Sequence, residues 1–316
     1  MANLSGLNLI TNVTKMTMEG ATRNVPREVS FIIAIIINGI SCPFTVLLNV
    51  LVIMAVKRRP RLQSNTNILL ACLAVTDALT GLVVQPSFII AKSFYFLNGT
   101  HSEVLGACHA VFIRSLSVCS ALQLMLVTCE RLIAIKFTMY YPYIVTKRNI
   151  KVAVIAVWAF TFISEVVRFI SNAVEERMHN LLVSLVGIFC VLFIASSYII
   201  LYLETRRHVM NITAQQLPQE EVQRFAKESK ALKTTVIVVS ALALSFLPIT
   251  LTMLLWTTSM KKIIDIEVTL ILFPVLRTCV MLNSLLNPLI YCLRQKEMRK
   301  CVLRVPCQAV EPAPMN

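Results

Sequence analysis

The sequence predicts an all-α integral membrane protein: a bundle of seven transmembrane helices with a short amphipathic eighth helix after them. Three observations predict it. Of 316 residues, 57% are hydrophobic and only 15% charged, with a mean hydropathy of +0.74, whereas a soluble domain carries roughly 25% charged residues. The apolar residues gather in seven long runs, at 31–56, 66–91, 104–130, 150–172, 181–203, 231–256 and 264–292, each near the ~20 residues that cross ~30 Å of hydrocarbon as a helix. The charges between those runs are distributed unequally, which fixes a direction of insertion.

With the amino terminus outside, the inner loops and tail hold twenty of the thirty Lys and Arg and seven acids, while the outer segments hold seven bases and seven acids. That is the positive-inside asymmetry. It accounts for the formal net charge of +14 without a nucleic-acid surface, so no nucleic-acid partner is expected. The chain divides into an outer tail (1–30), the seven-helix body (31–292) and a membrane-lying helix with a cytoplasmic tail (293–316). The expected location is the plasma membrane, multi-pass. The first thirty residues lack a continuous apolar segment, so the first span is expected to serve as the insertion signal.

Sequons at Asn3, Asn12 and Asn98 fall outside in this topology and are expected glycosylation sites, whereas the one at Asn211 falls inside. The stretch after the last span, "LRQKEMRKCVLRV", alternates apolar and basic residues and fits a helix lying on lipid. Cys301 and Cys307 in and beyond it suit palmitoylation. Most other cysteines lie within spans as small apolar residues. Cys108 alone approaches the outer surface, and no outer loop offers it a partner. The four His are scattered, so no metal cluster or nucleophile constellation is expected.

Polar residues inside the spans carry the functional information, because lipid cannot satisfy them. At 100° per residue, Arg114, Ser117, Ser120, Thr128 and Arg131 share one face of the third span, which must look into the bundle. Ser115 and Gln123 lie off that face and are expected to bond to neighbouring helices. Asp77 is an acid near mid-membrane. Glu165 and Arg168 are spaced i,i+3 and are expected to pair. Glu130 and Arg131 stand side by side at the inner end of the third run.

One polar signature in each of several successive spans resembles the rhodopsin-type (class A) G protein-coupled receptors. The residues are "LLNVLVI" with Asn49, "LAVTDAL" with Asp77, "CERLIAIKF" in place of Asp-Arg-Tyr, Trp158, "SFLP" in place of Cys-Trp-x-Pro, and "NSLLNPLIY" with Asn-Pro-x-x-Tyr. In pattern the chain is nearest the melanocortin, adenosine, cannabinoid and lysophospholipid receptor group. The resemblance implies a receptor that passes binding of an extracellular ligand to a heterotrimeric G protein by outward movement of helix six, with no chemistry of its own. It implies that Arg131 is held by Glu130 and by Glu228 at the inner end of helix six until that movement frees it. Tyr198 and Tyr291 would stabilise the open state, and Met139 would offer an apolar plug to the G protein. Around Asp77 it implies Asn49, Ser120, Asn283, Ser284 and Asn287 as a cluster holding water and an allosteric sodium ion, with Asp77 as the metal ligand; the other reading is a protonated carboxyl in a structural network. Phe246 stands in the toggle position above Pro248, and Pro288 marks the hinge of helix seven. Apart from that ion, no cofactor is expected.

Several positions depart from the family pattern. Leu132 replaces the tyrosine after the arginine, Phe246 the tryptophan, Thr138 the proline before Met139, and Cys190 the proline of helix five. Ile113 stands where amine receptors carry an aspartate, which argues against biogenic amines. Arg114, Ser117 and Arg277 are the expected ligand-pocket residues. Each arginine lies about ten residues into its span, roughly 15 Å deep. A buried guanidinium seeks a carboxylate or phosphate, so the pair either favours an anionic ligand or is satisfied internally by Glu165, Glu103 or Glu267. A chemosensory receptor of the same fold is the alternative function. A seven-helix transporter or channel would require charged residues along a path to both sides and, usually, repeated halves, which the sequence lacks.

Overall fold

A computed structural model describes residues 4–98, 102–170, 173–214, 246–255, 266–294 and 298–300. Helix α1 (Leu4–Arg58) is followed by a 3₁₀ turn at Pro60–Leu62 and by α2 (Asn65–Leu79). A π-helical turn, Thr80–Val84, joins α2 to α3 (Gln85–Asn98). Then come α4 (Glu103–Lys136), the single turn α5 (Tyr141–Ile144), α6 (Lys147–Ile170) and α7 (Ala173–Ala214). The sixth span is represented by α8 (Phe246–Leu255) and the seventh by α9 (Ile266–Arg294). Six segments are long and apolar enough to cross a membrane, and α8 is a shorter apolar helix beside them. The architecture is the seven-transmembrane-helix bundle, and all regular structure among the described residues is helical.

Local chemistry explains where the elements start and bend. Ser64 caps α2 by accepting from the Asn67 amide at 3.3 Å, and Ser102 caps α4 by accepting from Leu105 at 3.4 Å. Pro86 cannot donate to the carbonyl one turn back. Immediately before it the ladder slips, and the Gln85 amide reaches Thr80 O in an i→i+5 bond. Two helices approach closely at glycine. A Cβ on Gly81 would meet Val46 Cγ2 of α1 at 2.8 Å, and one on Gly187 of α7 would meet Thr250 Cγ2 of α8 at 2.7 Å.

Helix α4 packs against α2, α3, α6 and α7, and α1 against α2, α3 and α9. The larger core lies in the inner half, where Val52, Leu73, Leu124, Tyr198, Leu201 and Tyr291 are buried together. Met298, beyond α9 in the chain, is fully buried against the same cluster. A smaller outer core holds Ala34, Phe88, Ile113 and Met281. Large apolar side chains point outward along α1 and α6, with Ile40 63% and Phe162 71% exposed. In water such surface would be costly, whereas in lipid it is the expected exterior.

Two features differ from the sequence reading. Helix α1 already runs through most of the stretch read as an outer tail, although its apolar span begins at Pro26. Helix α4 continues to Lys136, so Glu130 and Arg131 lie inside a helix and not at its end. Helix α7 continues to Ala214, past the end of the fifth apolar run at 203. Glu228, Asn3, Cys301 and Cys307 lie outside the described residues, and Asn12 and Asn98 fall on helical backbone of α1 and α3.

Candidate functional site

The polar residues of the bundle form three layers. In the innermost, Glu130 is buried at 4% exposure. Its Oε1 accepts from Tyr141 Oη at 2.7 Å and from Thr66 Oγ1 at 2.8 Å. Its Oε2 faces Arg131 Nε at 3.5 Å, an ionic contact that makes no hydrogen bond. One oxygen of the carboxylate is therefore held by neutral donors while the other restrains the arginine loosely. Tyr141 sits on α5, outside the spans; burial first, and then the hydrogen bond to Glu130, push its phenol above the ordinary tyrosine range. Neither Thr66 nor Tyr141 was marked by the sequence. Tyr198 and Tyr291 are buried in the inner core, while Met139, just past α4, is 83% exposed on the inner face.

The middle layer centres on Asp77, which is fully buried. Asn287 Nδ2 donates to its Oδ2 at 2.7 Å, and Ser120 Oγ lies 3.5 Å from its Oδ1. Ser284 borders the same carboxylate, and Asn283 is buried nearby on α9. Asn49 donates to Thr45 O at 2.8 Å and to Ser284 O at 2.9 Å, tying α1 to α9. The amide oxygens of Asn49 and Asn287 are buried without a hydrogen-bond partner. Orphaned oxygens beside a buried carboxylate are the donor set of a hard cation or of ordered water. Pro288 lies within α9 next to Asn287.

A second polar group had no place in the sequence reading. Gln85 Nε2 donates to Ser41 Oγ at 2.8 Å and to Asn38 Oδ1 at 3.3 Å. Asn38 Nδ2 in turn donates to Thr278 Oγ1 at 3.0 Å, so the group joins α1, α3 and α9. Its signal was present: Asn38, Ser41, Thr45 and Asn49 recur at helical spacing along α1, all of them buried.

The outer layer is a cavity between α4, α7, α8 and α9. Arg114, Ser117 and Arg277 all line it, and Phe246 borders it from α8. Ile113, where amine receptors carry an aspartate, lines it as well, with Cys190 and Met253. The two arginines differ. Arg114 is engaged by Glu165 of α6 through Nε–Oε1 at 2.6 Å and Nη2–Oε2 at 2.9 Å, a bidentate pair. Arg168 adds a contact to Glu165 Oε2 at 3.2 Å, so the expected Glu165–Arg168 pair exists but is shared. Of the two alternatives the sequence left open, internal satisfaction by Glu165 holds for Arg114, whose fork is filled by protein. Arg277 makes no ion pair among the described residues, only a contact with the Phe273 ring at 5.5 Å.

Along α4 the arc assignment placed most residues correctly. Gln123 accepts from Thr76 Oγ1 at 3.0 Å, bonding across helices as expected. Ser115 instead donates to Val111 O of its own helix at 2.7 Å, because a short hydroxyl finds the preceding turn more readily than a neighbour. Thr128 likewise donates to Leu124 O. Cys108 is a free, exposed thiol.

Residues 48–291 match the family described as 7 transmembrane receptor (rhodopsin family). The chain is similar to melanocortin receptor 5 of Pan troglodytes, 26% identical over 82% of this chain and 79% of that protein. It is also similar to trace amine-associated receptor 9 of Mus musculus, 27% identical over 84% and 81% of the two chains. Melanocortin receptor 4 of Danio rerio is 26% identical over 82% and 79%.

Proposed function

The chain belongs to the rhodopsin family of seven-transmembrane receptors and is a G protein-coupled signalling receptor of the membrane; from that premise we propose that it responds to an anionic extracellular ligand held at Arg277. The observation that carries this reading is the guanidinium of Arg277, without an ion pair among the described residues, on the wall of a largely apolar cavity, where an uncompensated cation is costly. Trace amine-associated receptors are named for amines. Here the described residues of the cavity wall offer no carboxylate, and Glu165 beside it is taken by two arginines. An anion is therefore favoured over an amine.

Ligand contact with Arg277 and the cavity floor at Phe246 biases the segment holding Pro248. Helix six then moves outward, and Arg131, released from Glu130 and from Glu228, admits the G protein beside Met139. Tyr198 and Tyr291 support the open form. A population difference of a few kcal/mol is enough for such a switch. The Asp77 layer, with Asn49, Ser120, Asn283, Ser284 and Asn287, holds a sodium ion or water in the resting form. In this reading the amino terminus is outside, the receptor works at the plasma membrane, Asn3, Asn12 and Asn98 are glycosylated, and Cys301 and Cys307 carry palmitate.

The test is G-protein dissociation driven by a library of acids and phosphates in cells expressing the full chain, with Arg131→Ala as the coupling control. Arg277→Ala should lower agonist potency by about tenfold or more while the receptor stays at the surface. Unchanged potency would overturn the anionic reading.

A further inference from the structure

Arg277 lines a second cavity. This outer chamber lies between α1, α3 and α9, and its wall includes Arg27, Lys92, Phe31 and Phe88. Among the described residues its wall carries three cations and no acid. Lys92 Nζ sits 4.2 Å from the centre of the Phe31 ring, and Arg27 faces the rings of Phe31 and Tyr95 at 5.5 and 5.6 Å. Among the described residues no carboxylate lies within ion-pair distance of Lys92 or Arg277. Ring faces attract cations, but they do not cancel the repulsion between like charges brought together in a medium of low dielectric. An anion placed between Lys92 and Arg277 would.

Arg277 lines both this chamber and the cavity described above. The lining of that cavity on α4 runs from Ala110 to Leu124, roughly 20 Å at 1.5 Å per residue. Few polar groups along it are available. Ser184 donates to Asn180 O, Thr250 to Phe246 O and Leu247 O, and Arg114 to Glu165. A ligand with many polar groups would leave them unmet there, whereas a hydrocarbon chain needs nothing from such a wall.

We propose that the ligand is a single-chain amphiphilic anion, its carboxylate or phosphate head held by Lys92 and Arg277 in the outer chamber and its chain filling the apolar cavity toward Phe246. The inference rests on the anionic reading above and extends it to a second group of residues. The head is the shared chemistry of fatty acids and monoalkyl phosphates, and small free anions would carry the same charge without the chain.

The experiment is equilibrium binding to the full-length receptor in lipid nanodiscs, using palmitate, hexadecyl phosphate, hexadecylamine, acetate and inorganic phosphate. Palmitate or hexadecyl phosphate should bind at least tenfold more tightly than acetate, inorganic phosphate or hexadecylamine. Lys92→Gln and Arg277→Gln should each weaken that binding by about tenfold or more. Ala121→Phe, which blocks the apolar cavity partway along α4, should shift the preferred acid to shorter chains. Equal binding of hexadecylamine would overturn the inference. So would acetate or phosphate binding as tightly as the long-chain forms through Arg277, although the anionic reading would then survive. Binding lowered by Arg277→Gln but untouched by Lys92→Gln removes the outer chamber from the site and again leaves the anionic reading standing. If no acid or phosphate of any length binds, both fall.

Discussion

At the inner end of the bundle one carboxylate divides its two oxygens between different tasks. Glu130 Oε1 takes hydrogen bonds from Thr66 and Tyr141, and Oε2 keeps only a 3.5 Å contact with Arg131. Tyr141→Phe removes a donor to a charged acceptor, an interaction of about 1.5–3 kcal/mol. With only Thr66 left on Oε1, the carboxylate can turn further toward the guanidinium and strengthen the ion pair. Basal nucleotide exchange on the G protein should therefore fall severalfold in Tyr141→Phe and rise in Glu130→Gln, measured as guanine-nucleotide binding to membranes without ligand. The sequence identified Glu130 and Arg131 because adjacent charges stand out in an apolar run. It was silent on Thr66 and Tyr141, since a threonine and a tyrosine near a boundary look ordinary until folding brings them to one oxygen. The same limit applied to Arg114. Its depth was readable from its position in the span, but its pairing depended on which way Glu165 of α6 faced.

Elements were legible where periodicity and hydropathy dominate, and less so where backbone geometry does. The six long spans lie close to the apolar runs that predicted them. The π turn at Thr80–Val84 was not foreseen, although Pro86 after a glycine-bearing run was its signal. That turn sets which side chains of α3 face inward, Gln85 and Lys92 among them. Gly187 is another case of geometry acting through a missing side chain. Gly187→Ala would place a methyl 2.7 Å from Thr250 Cγ2, and Thr250 cannot readily turn away while its hydroxyl is bonded to Phe246 O and Leu247 O. The α7–α8 contact should lose about 1–3 kcal/mol, seen as a lower thermal midpoint in detergent. Thr250→Ser, which removes the clashing methyl, should restore most of the loss in the double variant.

For the whole molecule, charge distribution predicts a direction of insertion, and the order of polar signatures pointed to the family. What it could not give was the partition of the outer charges into paired and unpaired, because Arg27, Lys92 and Arg277 come from three helices distant in sequence. One whole-chain absence is informative. After Cys292 the sequence contains no Ser or Thr, so the tail offers receptor kinases no hydroxyl. Phosphate incorporated during prolonged stimulation should map to inner-loop sites such as Thr205, Thr213 or Ser229 by mass spectrometry, and none to residues 293–316. The free thiol of Cys108 sets a different kind of expectation. A receptor whose extracellular side is fastened by a disulfide loses signalling when reductant is added, and this one should keep its full response in millimolar dithiothreitol. The same sulfur, alone on that side by sequence, is a ready attachment point for a single membrane-impermeant fluorophore.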